Sequence, residues 1–119
     1  MTEQTSLFSP PKPFDFRAAD EAAIRSTKLE QKYKDWRETD HGIEVFKMCE
    51  RFALEAAARN RRFGIGLIAE RVRWESFISG RDEEGYKINN NHKPYIAREL
   101  IEQYPRLSEL ITLRETKGY

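Results

Sequence analysis

Cysteine is almost missing from this chain. Cys49 stands alone among 119 residues, so no intrachain disulfide can form. Histidine is nearly as scarce: His41 and His92, distant from each other, do not complete a structural zinc set with one thiol. A reducing compartment, the cytoplasm, is the natural setting. Net charge is also lacking, at a formal +1, so any electrostatic role must rest on local patches. No apolar run approaches the roughly 20 residues that a membrane span needs, and the N-terminus has no basic-then-apolar leader pattern. No membrane contact is expected. The chain has no GxxxxGK[ST] loop, no GxSxG elbow and no HExxH. Gly64-Ile65-Gly66 is a fragment of a dinucleotide fingerprint with no strand before it. The reading is therefore a non-enzyme without metal or cofactor.

What is present is a wet composition, 34% charged against 39% apolar, of a length that fits one domain with one modest core. The expected organisation is a Pro-rich arm over 1–14, disordered or draped, a single helical domain over 15–114, and a short tail over 115–119. Ser9-Pro10-Pro11-Lys12-Pro13 cannot continue a helix.

The domain reads as mainly α, a compact bundle of four to five helices. Asp15 is a candidate N-cap, and Phe16, Ala19, Ala23, Leu29, Tyr33 and Trp36 form one stripe of a first helix over 16–39. Asp40-His41-Gly42 is expected to break it, with His41 an ordinary loop histidine. A second helix from Gly42 or Ile43 buries Val45, Phe46, Cys49, Phe52, Ala53, Ala56 and Ala57, and Cys49 reads as an inert core thiol. It runs out at Arg59-Asn60-Arg61-Arg62, with Gly64 as the stop and a helix-dipole reason for the cations. Ile65, Ile68, Ala69 and Val72 mark a short third helix.

Phe77 and Ile78, then Tyr86 and Ile88, flank the polar stretch Ser79-Gly80-Arg81-Asp82-Glu83-Glu84-Gly85. That pattern predicts a short β-hairpin or a projecting loop near 77–88, its acidic run solvated rather than metal-binding. Asn89-Asn90-Asn91 should cap a fourth helix, with Pro94 in its first turn and Ile96, Ala97, Leu100 and Tyr104 on its buried face. Glu99 and Glu102 have ordinary surface spacing. Pro105 ends that helix and opens a last short one through Leu107, Leu110 and Ile111.

The remaining residues suggest a binding surface. Arg59, Arg61, Arg62, Arg71 and Arg73 fall within fifteen positions. Lys87, His92, Lys93 and Arg98 follow, with Asn89, Asn90 and Asn91 between them and Trp74, Tyr86 and Tyr95 interleaved. Nucleic-acid recognition uses these types: cations for phosphate, Asn and Arg for base edges, rings for stacking. The third and fourth helices could form a helix-turn-helix variant presenting Asn91, His92, Lys93 and Tyr95, although its connection is far longer than the usual three to four residues.

The run FALEAAARNRRFGIGLIAERVRWE followed by GYKINNNHKPYIAREL resembles small helical proteins of phage and prophage origin, over residues 52–114. The resemblance implies a mobile-element protein in a bacterial cytoplasm, of a kind that commonly serves as a DNA-binding accessory, a regulator or an inhibitor of host defence. The leading expectation is therefore a nucleic-acid-binding protein, DNA more than RNA. The alternative is a module that docks on a host or phage protein through the same Arg and aromatic residues. A homodimer through the first helix is a third option.

Overall fold

The computed structural model describes the backbone of residues 16–112 and the side chains of residues 26–112. The arm over 1–14, the Asp15 cap, the apolar positions Phe16, Ala19 and Ala23, and the tail over 115–119 lie outside the described side chains. Chain order is α1 (Phe16–Arg37), α2 (Asp40–Ala58), β1 (Phe63–Gly64), α3 (Ile65–Ile78), α4 (Lys93–Gln103), a 3-10 turn (Pro105–Glu109) and β2 (Ile111–Thr112). The described residues are mainly α, four helices with a two-stranded tie.

The α2 helix is the axis of the core. Its periodic face buries Val45, Phe46, Cys49, Phe52, Ala53 and Ala57 against Ile68 and Val72 of α3, Ile96, Ala97 and Leu100 of α4, and Leu107, Leu110 and Ile111 beyond. Burial of each large apolar side chain contributes about 1.5–3 kcal/mol. Cys49 is fully enclosed as expected, and burial pushes its thiol pKa up to about 12.

The α1–α2 corner sits earlier than the sequence suggested. Asp40, His41 and Gly42 form the first turn of α2 rather than a break. Thr39 caps that turn: its Oγ1 accepts from the Gly42 N–H at 2.9 Å and donates to the Trp36 carbonyl at 2.7 Å. Gly42 is there because the helices nearly touch; a Cβ on it would overlap the Trp36 carbonyl.

The end of α2 also differs. Asn60, at φ 56°, takes the left-handed position, with its N–H on the Ala57 carbonyl and the Arg61 N–H on the Ala56 carbonyl. This is a Schellman stop supplied by asparagine. Gly64 has extended backbone and instead leads into α3. Neither β strand is visible in the sequence, since two residues carry no alternation. They pair parallel, Phe63 with Ile111 and Gly64 with Thr112, and fasten the chain's later part to the α2–α3 junction.

No hairpin forms near 77–88. Phe77 and Ile78 are the last turn of α3, and residues 79–92 are an irregular loop. The loop does not project; it folds back on α3. The fully buried Ser76 hydroxyl accepts the Tyr86 N–H at 2.7 Å and donates to the Val72 carbonyl at 2.7 Å. Gly85, at φ +83°, lies so close to Arg73 that a Cβ would overlap its carbonyl. The short turn of a helix-turn-helix is accordingly missing between α3 and α4.

Candidate interaction surface

Polar side chains clamp remote elements onto the α2 and α4 axes. Glu44 accepts from Arg81 at 2.9 Å and from the Tyr86 hydroxyl at 3.2 Å. Glu50 accepts from the Tyr104 hydroxyl at 2.5 Å, which with burial raises that phenol's pKa. Glu99 is half-buried, not an ordinary surface acid: it takes the Tyr33 hydroxyl at 2.6 Å and the Arg37 guanidinium at 3.0 Å. Burial, then the Glu99 bond, raise the Tyr33 phenol pKa strongly. These contacts are architecture: those of Glu44 and Glu50 tie the 79–92 loop and Tyr104 to α2, and those of Glu99 hold α1 against α4.

That packing disposes of part of the expected site. His92 is buried, its ring 4.9 Å from Trp36 and 5.7 Å from Tyr33 by centroids, and burial lowers its pKa. It stands at the N-cap of α4 without capping it. Asn91 is not the cap either; its N–H bonds the Asn89 Oδ1 at 2.8 Å in a local turn, with Asn90 exposed between them. Lys93 is half-buried in the first turn. Tyr95 stacks on Tyr33 at 5.3 Å, and Arg98 lies over the Tyr95 ring. Of the positions that a recognition helix would offer to a groove, His92 and Tyr95 are packed against α1, whereas Asn91 and Arg98 stay exposed.

The cations divide into paired and unpaired sets. Arg71 bonds Glu75 at 3.1 Å, reaches Glu55 at 3.8 Å, and lies over the Phe52 ring. Arg73 donates to the Glu84 carbonyl at 3.2 Å, and Lys87 bonds the Glu84 carboxylate at 2.8 Å, which lowers the Glu84 pKa. The acidic loop thus folds over Arg73 and Lys87. Tyr86 rests edge-on to His41 and bonds Glu44. Arg59, Arg61 and Arg62 are exposed and have no carboxylate partner among the described residues. Arg106 braces their turn by donating to the Ala57 carbonyl at 3.0 Å and the Asn60 Oδ1 at 2.9 Å, a role the sequence did not suggest.

The sequence reading singled out Trp74 but not its companions. Helix α3 is apolar on two opposite faces. Ile68, Ala69, Val72 and Ser76 turn inward, whereas Leu67 (65% exposed), Trp74 (57%), Phe77 (47%) and Ile78 (60%) turn outward. At spacings of seven, ten and eleven from Leu67 they form one stripe roughly 16 Å long. Trp74 and Phe77 touch, with ring centroids 5.8 Å apart. Apolar recurrence in two registers on one helix was the signal that could have found this stripe.

Trp74 divides two grooves. One, about 560 Å³, lies between α2 and α3 and is lined by Phe52, Ala56, Arg59, Arg61, Leu67 and Arg71. The other, about 610 Å³, is lined by Glu70, Arg73, Phe77, Glu83 and Glu84. The first groove sets Arg59, Arg61 and Arg71 against Glu55 and Glu70, and the second sets Glu70, Glu83 and Glu84 against Arg73, so the face leans cationic at its Leu67 end and anionic at its Phe77 end.

No protein-family model, curated protein or solved structure matches this chain. Among the described residues no helix is long and apolar enough to cross a membrane.

Proposed function

We propose that this protein acts by binding rather than by catalysis, as an interaction module whose outward α3 face docks a segment of another protein. One observation carries the reading: four large apolar side chains stand about half exposed along one helix. Scattered exposed apolar residues are ordinary, but a contiguous patch with a polar rim marks an interaction site. Trp74 at its centre, flanked by Arg59, Arg61 and Arg71, has the residue types that dominate interface energetics. The matching segment carries apolar anchors, with carboxylates where it meets Arg59 and Arg61. In the mobile-element setting that the sequence resemblance implies, it belongs to a host or phage protein.

The test is a photo-crosslinking residue at position 74 in producing cells, with position 47 on α2 as control. A discrete adduct with a different protein at 74, absent at 47 and weakened by Arg61→Glu, is expected. Nucleic acid alone, or no adduct except with the chain itself, would overturn the reading.

A second reading, nucleic-acid contact, is favoured by the unpaired Arg59, Arg61 and Arg62. Three phosphate contacts give a salt slope of about −2.7 in log–log form. A gel shift lost on combined Arg61→Glu and Arg62→Glu substitution supports it, and no shift at low salt sinks it.

A further inference from the structure

We infer that, when no other partner is present, a second copy of this chain covers the α3 face in a two-fold symmetric, antiparallel arrangement. The inference rests on the reading that this face is a docking surface. Its ground is the charge order along the stripe. A two-fold axis pairs a surface with itself in reverse, so a patch is self-complementary only when its two ends are complementary. Here they are. Glu70 lines both grooves and Glu55 is engaged by Arg71, so neither separates the ends; the Leu67 end is bordered by Arg59 and Arg61, and the Phe77 end by Glu83. None of these three has an ion-pair partner within the described part of its own chain.

Rotation about an axis outside the outward face, level with the midpoint between positions 67 and 78, brings Arg61 towards the partner subunit's Glu83, and the reverse. Leu67 then meets the partner subunit's Ile78. Helix periodicity supplies the register: positions 67 and 78, and 71 and 74, fall opposite each other about the same centre. Arg71, already flattened over Phe52, faces the partner subunit's Trp74, a cation–π arrangement. A parallel arrangement would set cation against cation and acid against acid, which disfavours it.

The stripe is short, so the interface falls at the small end of specific contacts, below about 1,200 Å², and a dissociation constant in the micromolar to millimolar range is expected.

The experiment is sedimentation equilibrium of the full chain across that concentration range, with circular dichroism to confirm that each variant is folded. The wild type should pass from monomer to dimer. Trp74→Glu should weaken the dimer at least about thirtyfold, the loss of a central anchor. Arg61→Glu and Glu83→Lys should each weaken it by about threefold to tenfold, and the two together should recover most of that loss, because the swapped pair is again complementary. A monomer at every concentration overturns the inference. So does a dimer indifferent to Trp74→Glu, which would use another face, or a pair of charge variants whose losses simply add. If wild type stays monomeric while position 74 still crosslinks a different protein in cells, this inference fails and the docking reading stands. If neither is seen, both fail.

Discussion

Ser76→Ala should loosen the loop that shapes the acidic end of the α3 face. Ser76 is fully enclosed, and its hydroxyl is the acceptor for the Tyr86 N–H at 2.7 Å. Alanine removes that acceptor and leaves the amide without a partner in a half-buried place. The cost of an unsatisfied donor is about 1–3 kcal/mol. The hydroxyl's donor contacts, to the Val72 carbonyl at 2.7 Å and the Arg73 carbonyl at 3.1 Å, add little, since they are back-bonds to the preceding turn of its own helix. Spread over a domain of this size, each kcal/mol lowers Tm by about 4–8 °C. The loss can also appear as local opening, in which case hydrogen exchange at the Tyr86 amide accelerates by about 5- to 150-fold.

Urea denaturation and native-state exchange on wild type and variant separate the two forms. Ser79→Ala is the control, because its hydroxyl is exposed and its only bond is 3.4 Å long; a change within about 0.5 kcal/mol is expected there. If Ser76→Ala also changes stability by less than about 0.5 kcal/mol and leaves Tyr86 exchange untouched, the hydroxyl does not pin the loop. Glu83 and Glu84 would then be held by something else.

Three further outcomes are expected. Gly42→Ala should destabilise by at least about 1–3 kcal/mol, since the obstacle is the Trp36 backbone carbonyl, which cannot turn aside; thermal unfolding reads this directly. Stability should fall on acidification below pH 6.5, because burial lowers the folded His92 pKa from 6.5 and only the unfolded chain readily takes the proton. Stability is full above 6.5 and is lost as pH falls towards the folded value; His92→Phe should flatten urea midpoints across that window. Cys49, pushed up to about 12, should not react with an aromatic disulfide reagent at pH 8 in the folded chain and should react fully in guanidinium; prompt native reaction would contradict its enclosure.

The parts of this fold that could be read from the chain are those fixed by periodicity and by proline. The α2 stripe from Val45 to Ala57 allowed one burial pattern, and Cys49 fell inside it. Pro94 and Pro105 bracketed α4 and opened the 3-10 turn because each removes a donor that those positions do not need. What could not be read depended on contacts distant in sequence. Gly42 looks like a breaker until Trp36 is known to press on it. Phe77 and Ile78 look like a strand because two apolar residues before a polar stretch fit either structure, and only the α3 ladder decides. Glu44, Glu50 and Glu99 look solvated until Tyr86, Tyr104 and Tyr33 reach them from 42, 54 and 66 positions away. The predicted binding residues were similarly scattered by tertiary structure: His92 and Tyr95 joined the α1 packing, Arg73 and Lys87 were taken by Glu84, and Arg59, Arg61, Arg71 and Trp74 came together on one groove.

The energetics of that groove constrain the proposed docking. Complete burial of an apolar side chain contributes about 1.5–3 kcal/mol, and these four are already roughly half covered, so their remaining gain is on the order of 3–6 kcal/mol together. Association costs an estimated 4–15 kcal/mol in lost freedom. The stripe therefore does not bind tightly by apolar contact alone, and any apolar helix laid along it would leave again. The difference must come from the ends, where Arg59 and Arg61 stand unpaired at one side of Trp74 and Glu83 at the other. A ligand with the matching charge order gains at both ends, while one with uniform charge gains at one and loses at the other. On the proposed docking reading, selectivity on this face follows from charge order more than from shape. Because both ends are exposed, it should weaken as salt rises, whichever chain occupies the groove.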